Sequence, residues 1–304
     1  MKIIITGCAG FIGYHLSNRL LNNKKNKIVG FDSLNRYYSI KLKEKRLSFL
    51  KKNKNFFFYK LNIARSNNLE KIIKDFNPDI IFHLGGQPGV LYSFKNPKSY
   101  ELNNFVATKK LCKIVKKFKI KKFVFASSSS VYGDQKKYPI SENAKLFPKN
   151  PYARSKLNCE KHIKKVFSIK NIDYIIFRFF TVYGPFGRPD MFIHKFLNNI
   201  FQNKKINIYN LGNNLRDFTF IDDVNEILTK CIKNQLNGKI LNICRSKPIK
   251  TNDLINLFKK NINPKKFNLN YIGAVKGEML KTHGSNTNLK KVFYKKKFVN
   301  LEKG

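Results

Sequence analysis

The sequence predicts an α/β fold, in which a doubly wound parallel sheet is followed by a smaller C-terminal α/β domain that binds a substrate. Short apolar runs alternate with amphipathic stretches through the first 180 residues. A GxxGxxG glycine pattern follows the first apolar run directly, and after residue 180 the alternation loosens as proline, glycine and asparagine cluster. Because strands that alternate with helices are joined by right-handed crossovers, this order predicts a parallel sheet with helices on both faces.

Length and composition are those of a globular chain. With 304 residues, of which 42% are hydrophobic and 14% aromatic, the chain is long enough to bury a substantial core. The apolar start "MKIIITG" is too short for a signal peptide, and no stretch approaches the roughly 18 uninterrupted apolar residues of a membrane span. We therefore expect a soluble cytoplasmic protein without a membrane partner.

Basic residues far outnumber acidic ones. Lys and Arg total 61 and Asp and Glu total 18, which gives a formal net charge of +43. Such a charge suggests a nucleic-acid binder, but a binding footprint is clustered on one stripe or face. Here the lysines are spread over the whole length, as a bias toward A/T-rich codons would leave them, so we expect no nucleic-acid partner. Arginine is scarce, at nine residues, so an arginine inside a motif is informative.

The cysteines do not suggest a metal or a disulfide. All five lie far apart, in neither a CxxC pair nor a Cys/His cluster, at Cys8, Cys112, Cys159, Cys231 and Cys244. We expect them to be small buried hydrophobic residues in a reducing compartment, and we expect no metal site.

The strands of the sheet are predicted at the apolar runs, which are in order KIIITG, KIVGFD, FFFYKLN, DIIFHLG, KKFVFASS and YIIFRFF. Helix-like stretches lie at 11–23, 66–76, 100–118 and 152–168. We assign residues 1–180 to the sheet domain, with a return at 223–244 through a helix and the strand KILNIC. Residues 181–304 are assigned to a smaller second domain.

The glycine pattern predicts a dinucleotide site of the Rossmann type. Gly7, Gly10 and Gly13 follow the first strand and open a helix, where they permit a tight turn and close approach of a pyrophosphate to the helix N-terminus. Asp32 ends the second strand, where its carboxylate can accept hydrogen bonds from ribose hydroxyls. Because Asp32 would repel a 2′-phosphate, NAD is preferred as the cofactor. The neighbouring Arg36 keeps NADP open as an alternative.

A second motif, "NPYARSKLNCE", predicts acid–base chemistry. Tyr152 and Lys156 are four residues apart, so on a helix they point the same way. A phenol is a poor base at neutral pH, but an adjacent ammonium favours its ionised form, which can remove a proton from a sugar hydroxyl. Upstream, the run Ser127–Ser130 follows a predicted strand at the carboxyl edge of the sheet, where doubly wound folds bind ligands.

Several stretches together resemble the extended short-chain dehydrogenase/reductase family of nucleotide-sugar enzymes, over nearly the whole chain. They are HLGGQPGVLYSFKNPKSYELNN, ASSSSVYG, PYARSK, RFFTVYGPFGRPDMF and LGNNLRDFTFIDDV. The resemblance implies NAD-dependent 4-epimerisation of a UDP-sugar. NAD would take a hydride from C4 while Tyr152 takes the proton of the 4-hydroxyl, and hydride would return to the other face of a rotated 4-keto sugar. Lys156 would bind the nicotinamide ribose, and Ser128 would hydrogen-bond the 4-oxygen.

The same resemblance implies a substrate. Arg188, in GRPDM, is similar to the family's ligand for a glucuronate carboxylate, and Arg216 is similar to its pyrophosphate ligand. Thr181, Ser129 and Ser130 would add hydroxyl donors. The favoured reaction is therefore UDP-glucuronate to UDP-galacturonate, for a surface polysaccharide. The alternatives are 4-epimerisation of UDP-glucose or UDP-N-acetylglucosamine, and another NAD-dependent epimerase or dehydratase reaction.

Further cofactor contacts and an assembly follow from the resemblance. The residues implied to contact NAD, besides the glycines and Asp32, are Phe11, Ile12, Asn62, Ile63, Leu84, Tyr152 and Lys156. A homodimer through helices 100–118 and 152–168 is expected. The chain stops at Gly304, about where the family's last helix would begin, so we expect that helix to be missing. The segment KGEMLKTHGSNT matches the family pattern loosely, with Glu278 and Ser285 at two aspartate positions.

Ser129 and Ser130 distinguish between two reactions of the family, epimerisation and dehydration. Sugar 4,6-dehydratases of this family carry an Asp-Glu pair where this chain has Ser129 and Ser130, because elimination of water needs an acid and a base. This difference favours an epimerase.

Arg178 lies within a predicted strand, and we expect a structural role for it because buried arginines are normally paired. A non-catalytic nucleotide-binding protein and a nucleic-acid binder are the hypotheses from other classes.

Overall fold

The computed structural model of the protein describes residues 1–170, 172–262, 267–274, 279–295 and 297–304. Glu278 lies outside the described residues. Within these ranges, none of the helices combines the length and the apolar character needed to cross a membrane.

A seven-stranded sheet forms the centre of the molecule, and every neighbouring pair in it is parallel. Its strands are β1 (Lys2–Thr6), β2 (Lys27–Asp32), β3 (Phe56–Lys60), β4 (Ile80–His83), β5 (Lys122–Ser128), β6 (Asp173–Phe179) and β11 (Lys239–Ile243). The order across the sheet is β11-β6-β5-β4-β1-β2-β3. The predicted doubly wound parallel sheet is thus confirmed, and its winding reverses between β1 and β4.

Helices cover both faces of this sheet. They are α1 (Phe11–Leu21), α2 (Ile40–Lys51), α3 (Leu69–Phe76), α4 (Val90–Lys95), α5 (Pro97–Tyr100), α6 (Ala107–Val115), α7 (Pro151–Lys170), α8 (Phe192–Phe201), α9 (Ile221–Lys230), α10 (Thr251–Asn261) and α11 (Thr287–Phe293). One apolar core packs α1, α2, α9 and α11 on one face, and a second packs α3, α6 and α7 on the other. All five cysteines are buried and free, as predicted.

The chain after β6 forms three small two-stranded pairs beside the sheet. Their strands are β7 (Thr181–Tyr183), β8 (Ile206–Ile208), β9 (Leu215–Arg216), β10 (Phe218–Phe220), β12 (Ile249–Lys250) and β13 (Leu269–Tyr271). β7 pairs with β10 and β8 with β13 in parallel, while β9 and β12 are antiparallel. Arg216 therefore lies in a short strand, whereas its Asn- and Gly-rich surroundings predict a loop.

The predicted helix 100–118 is not one regular α-helix. Residues Glu101–Val106 form a π-helix between α5 and α6. A π-helix widens the turn, and such segments often mark functional sites. Here the side chain of Asn104 accepts a hydrogen bond from the backbone N–H of Gln87, at 2.6 Å, and donates to Ser155 Oγ, at 2.9 Å. The wider turn thus joins the segment after β4 to α7.

A buried ion pair fixes α7 against the sheet. Arg178 on β6 donates through Nε and Nη2 to the Glu160 carboxylate, at 3.0 and 2.7 Å, and Ser127 Oγ donates to Glu160 Oε1 at 2.5 Å. Arg178 also donates to Tyr132 Oη, which donates in turn to Asn242 Oδ1 on β11. Arg178 is buried and paired, as predicted, and the network joins α7 to three strands.

Replacing Glu160 with Gln tests this network. The change removes the negative charge and leaves Arg178 a buried cation without a counter-charge. We expect the free energy of unfolding to fall by about 3–5 kcal/mol, the cost of removing one partner of a buried pair. Urea denaturation followed by circular dichroism measures the loss.

Glu70→Gln is the matched control. Glu70 pairs with Lys117 at 2.7 Å, with both side chains well exposed to solvent. Its replacement should cost less than about 1 kcal/mol. Equal losses in the two variants would contradict a dominant contribution of the Glu160–Arg178 pair.

Candidate active site

One large cleft opens at the carboxyl ends of the sheet strands, at the reversal between β1 and β4. Its volume is about 810 Å³. Every residue that the sequence predicts for the site lines this cleft: Gly7, Gly10, Phe11, Ile12, Gly13, Asp32, Asn62, Ile63, Leu84, Ser128, Ser129, Ser130, Tyr152, Lys156, Thr181, Arg188 and Arg216. Residues from eight different parts of the chain are thus brought together where doubly wound sheets bind ligands.

The glycine turn packs main chain closely against main chain. Gly7 has φ +70°, and a Cβ there would lie 2.7 Å from Gly85 Cα. A Cβ on Gly13 would lie 2.1 Å from the carbonyl oxygen of Gly7, so neither position accepts a side chain. Helix α1 begins just after Gly10 with no side-chain cap and no acidic residue in its first turn. Its first N–H groups suit a pyrophosphate.

Asp32 lies beside this turn at the end of β2. Its carboxylate accepts hydrogen bonds from the backbone N–H groups of Ala9, at 3.2 Å, and Leu34, at 2.8 Å. Burial raises the pKa of Asp32, and these hydrogen bonds oppose the shift. A carboxylate in a glycine-lined cradle fits the adenosine ribose of NAD. Arg36, by contrast, is exposed and lies outside the lining of the cleft.

Asn62, two residues after β3, forms a polar part of the cleft wall. Asn62 accepts a hydrogen bond from the N–H of Ala64, at 3.0 Å, and donates to Asn103 Oδ1, at 2.8 Å. Ile63 and Leu84 provide apolar surface beside it. The amide of Asn62 is thus held in one orientation by Asn103.

Tyr152 and Lys156 lie on the first two turns of α7. Lys156 is buried, and its Nζ donates to the carbonyl oxygen of Ala126 on β5 at 2.7 Å. The ring of Tyr100 meets the ring of Tyr152 edge-on, with centroids 6.0 Å apart. Among the described residues, no hydrogen bond occupies the Tyr152 hydroxyl. A phenol and an ammonium are therefore both presented to the cleft.

The serine run divides into two groups. Ser127 points into the protein, toward Glu160. Ser128 Oγ accepts a hydrogen bond from the N–H of Ser130 at 3.2 Å, which caps the short 3₁₀ turn Ser129–Tyr132, and it donates a hydrogen bond to Ser130 Oγ at 3.2 Å. All four serines contribute to the lining of the cleft, although the hydroxyl of Ser127 is bound to Glu160. No hydrogen bond joins Ser128 to Tyr152 within the described part of the chain.

The opposite wall is formed by segments that follow β6. Thr181 begins β7, and its backbone N–H donates to the carbonyl oxygen of Asp217 at 3.2 Å. Arg216 donates through Nη1 to the carbonyl oxygens of Leu215, at 3.0 Å, and Leu280, at 3.3 Å. A cationic side chain and a hydroxyl therefore face the cleft from this side.

Arg188 is held by an ion pair at the edge of the cleft. Its Nε and Nη2 donate to the two oxygens of Asp190, at 3.0 and 2.5 Å. Tyr37 Oη donates to Asp190 Oδ2 at 2.9 Å. Burial by itself would lower the pKa of Arg188. The effects of Asp190, Tyr37 and Tyr152 outweigh burial, so the pKa of Arg188 is raised from its ordinary value. Arg188 and Tyr152 both line the cleft.

A buried arginine connects the two sides of the cleft. Arg46 on α2 is fully buried, and its Nη1 donates to the carbonyl oxygen of Ala9 at 2.8 Å. Its Nη2 donates to the carbonyl oxygens of Phe186, at 2.6 Å, and Gly187, at 3.2 Å. The turn next to the glycines and the loop that carries Arg188 are therefore tied to one side chain.

Sequence reasoning missed several of these residues. The scarcity of arginine could have singled out Arg46, and the scarcity of acids, 18 in 304 residues, could have singled out Asp190 two residues after Arg188. Tyr37 and Gln87 also line the cleft, and no sequence signal pointed to them. Their contacts are with residues distant in the chain, so local patterns do not reveal them.

Comparisons with known proteins find nucleotide-sugar 4-epimerases that match nearly the whole chain. A UDP-glucuronate 4-epimerase from Thermodesulfobacterium geofontis is 35% identical over 303 residues, covering 99% of this chain and 93% of that protein. The crystal structure of a UDP-glucuronic acid 4-epimerase from Bacillus cereus, in complex with UDP-glucuronic acid and NAD, is similar with a TM-score of 0.95 at 32% identity. It is matched over 100% of this chain and 96% of that chain.

A relative that acts on a different sugar is also similar. A UDP-N-acetylglucosamine 4-epimerase from Methanobrevibacter ruminantium, in complex with UDP-N-acetylmuramic acid, has a TM-score of 0.90 at 28% identity. The match covers 99% of this chain and 94% of that chain. A model of the NAD dependent epimerase/dehydratase family matches residues 3–244, which include the glycine turn, the serine run and the Tyr152 motif. The resemblance predicted from the motifs is confirmed, and the chain belongs to the NAD dependent epimerase/dehydratase family.

Proposed function

We propose that this protein catalyses the NAD-dependent interconversion of UDP-glucuronate and UDP-galacturonate through a 4-keto sugar. The observation that carries the proposal is that Tyr152, Lys156 and Ser128 share one cleft with Arg188, next to the glycine turn and Asp32. The relatives named for UDP-glucuronate 4-epimerisation support the same substrate.

The residues of the cleft divide into a cofactor set and a sugar set. Asp32 would accept the hydroxyls of the adenosine ribose, and the glycine turn with α1 would hold the pyrophosphate. Asn62, Ile63 and Leu84 would contact the adenine side, while Lys156 would hold the nicotinamide ribose. Bound NAD would supply a hydride acceptor for C4 of the sugar and, in its reduced form, the hydride donor for the second half of the same cycle.

Tyr152 moves the proton. The ionised phenol would take the proton of the 4-hydroxyl as the C4–H bond breaks and a C4=O double bond forms. Ser128, held in place by Ser130, would donate a hydrogen bond to the same oxygen and stabilise the charge that develops on it. After the keto sugar turns over in the site, Tyr152 would return the proton to O4, so protons and hydride balance over the cycle.

Two arginines would hold the charged parts of the substrate. Arg216 would bind the UDP pyrophosphate, and Arg188 would bind the uronate carboxylate, because a guanidinium matches both anions bidentately. Thr181, Ser129 and Ser130 would donate to the sugar. Ser129 and Ser130 cannot act as the acid and base that elimination of water needs, which favours epimerisation over dehydration.

A neutral UDP-sugar is the second candidate substrate. The Arg188–Asp190 pair carries little net charge, so its donor edge could also bind a neutral hydroxyl. The similarity to the M. ruminantium enzyme favours the same alternative.

We extend the proposal to assembly and cellular role. A homodimer would form through the helices at 100–118 and 152–168, which is supported by the exposed Val106 and Phe94 close to that surface. The enzyme would act in the cytoplasm and supply UDP-galacturonate for polysaccharide synthesis. Residues 1–180 with the return at 223–244 would form the NAD-binding domain, and residues 181–304 would form the sugar-nucleotide domain.

An NMR time course identifies the substrate. The purified protein is incubated with UDP-glucuronate and, separately, with UDP-glucose, and the anomeric protons are followed. We expect a UDP-galacturonate signal in the first sample to grow to a constant ratio without added NAD. Conversion of UDP-glucose alone would contradict the proposed role of Arg188.

Replacing Tyr152 with Phe removes the proton acceptor and leaves the ring. We expect the epimerisation rate to fall roughly a hundredfold to ten-thousandfold, the usual contribution of a general base, while bound NAD remains. Rates are measured by NMR, and NAD by absorbance after denaturation. Tyr294→Phe, at a highly exposed tyrosine, is the control and should keep the full rate. A Tyr152 variant with an unchanged rate would exclude the catalytic role.

Arg188→Met and Arg216→Met separate recognition of the sugar from recognition of UDP. Loss of Arg188 should weaken UDP-glucuronate binding at least tenfold and leave UDP binding unchanged, because UDP lacks the carboxylate. Loss of Arg216 should weaken both ligands to a similar extent. Calorimetric titration of the NAD-loaded protein measures the dissociation constants. If Arg188→Met weakened UDP as much as UDP-glucuronate, the carboxylate assignment would be wrong.

A further inference from the structure

The guanidinium of Arg188 already has a carboxylate partner within the protein. Asp190 accepts from Nε and Nη2, which form one edge of the planar group. The side chain of Arg188 is 20% exposed and that of Asp190 is 31% exposed, and both residues line the cleft. The pair therefore lies at the rim of the site, partly open to solvent.

Tyr37 fixes the position of Asp190. Its hydroxyl donates to Asp190 Oδ2 at 2.9 Å. Burial and then Asp190 raise the pKa of Tyr37 to about 12, so the hydroxyl keeps its proton at neutral pH. Gly89 packs against this hydroxyl so closely that a Cβ there would lie 2.1 Å from Tyr37 Oη. Tyr37, Asp190 and Arg188 thus form an ordered chain of hydrogen bonds that runs from the turn between β2 and α2 to the cleft.

This arrangement leaves one edge of the guanidinium available. A guanidinium has a side edge, Nε with Nη2, and an end edge, Nη1 with Nη2, and each can bind a carboxylate bidentately. Asp190 occupies the side edge. Within the described residues, the hydrogen bonds that the Arg188 guanidinium donates leave from Nε and Nη2, and none leaves from Nη1.

We propose that Asp190 is a positioning residue for recognition of the sugar carboxylate. It holds Arg188 by the side edge, with Tyr37 behind it, so that the end edge faces the uronate group of the substrate. The inference rests on the proposed function, because it takes the ligand of Arg188 to be a uronate. A long side chain that is already ordered loses less conformational freedom when the substrate binds.

The opposite effect would follow if Asp190 competed with the substrate. Its carboxylate would then repel the uronate or have to leave the guanidinium before the uronate could bind. Removing Asp190 would in that case tighten UDP-glucuronate binding. The sign of the change in affinity distinguishes positioning from competition.

The test uses NAD-loaded protein with Tyr152→Phe as background, so that UDP-glucuronate binds without turnover. Calorimetry gives the dissociation constants of UDP-glucuronate and UDP for Asp190→Ala, Asp190→Asn and Tyr37→Phe. We expect Asp190→Ala to weaken UDP-glucuronate about fivefold to tenfold, the fold-change for ordering one long side chain, with UDP unchanged. Asp190→Asn, which keeps one acceptor for Arg188, should weaken it less.

Controls keep the outcome interpretable. Asp134→Ala removes an exposed aspartate that pairs with Lys149 and should change neither constant. Tyr37→Phe deletes only a hydroxyl, so it still tests the chain if an Asp190 variant unfolds, and it should weaken UDP-glucuronate by a smaller factor. In the active protein, Asp190→Ala should raise KM for UDP-glucuronate and leave kcat unchanged, a split that general loss of structure would not produce.

Two failures are distinguishable. If Arg188→Met weakens UDP-glucuronate but Asp190→Ala leaves it unchanged or tightens it, the positioning role is wrong and the proposed function stands. If Arg188→Met has no selective effect on UDP-glucuronate, the uronate assignment itself fails.

Discussion

The ion pair between Glu160 and Arg178 is the interaction on which the geometry of the chemical half of the cleft depends. Tyr152, Lys156 and Glu160 follow one another at intervals of four residues on α7, so they lie along one face of the helix. Glu160 binds Arg178 and Ser127 in the core, and Lys156 binds β5 one turn earlier. The helix therefore cannot shift along its axis without breaking buried charged hydrogen bonds, and Tyr152 keeps its place near the serine run.

Close main-chain packing shapes the cofactor half of the cleft, whereas hydrogen bonds between polar side chains shape the sugar half. At the glycine turn, backbone packs against backbone, since a side chain on Gly7 or Gly13 would overlap neighbouring main-chain atoms. The sugar half is shaped by polar side chains that hold one another, as Asp190 holds Arg188. Arg46 joins the halves through carbonyl oxygens of both, so the loop that carries Arg188 is attached to the cofactor side of the molecule.

The sequence was sufficient for the sheet and for most of the cleft, because both follow local patterns. Strands buried on both faces appear as continuous apolar runs, and the glycine and Tyr152 motifs have fixed spacings. Pairs that join distant segments were not predictable: Tyr37 meets Asp190, and Glu160 meets Arg178, through the fold alone. The π-helix at 101–106 was missed for the same reason. The residue that bonds to its Asn104 is Gln87, and α4 and α5 separate the two in the chain.

The placement of β11 has a consequence for synthesis of the chain. This strand closes the sheet against β6, and its Asn242 accepts the hydrogen bond of Tyr132 in the network around Arg178. On the ribosome, residues 180–238 must be made before that strand exists. Until then the growing chain exposes β6 as an unpaired edge, which is a site for aggregation. β11 is the last of the seven strands of this sheet to leave the ribosome, and its pairing with β6 removes the exposed edge at which nascent chains could aggregate.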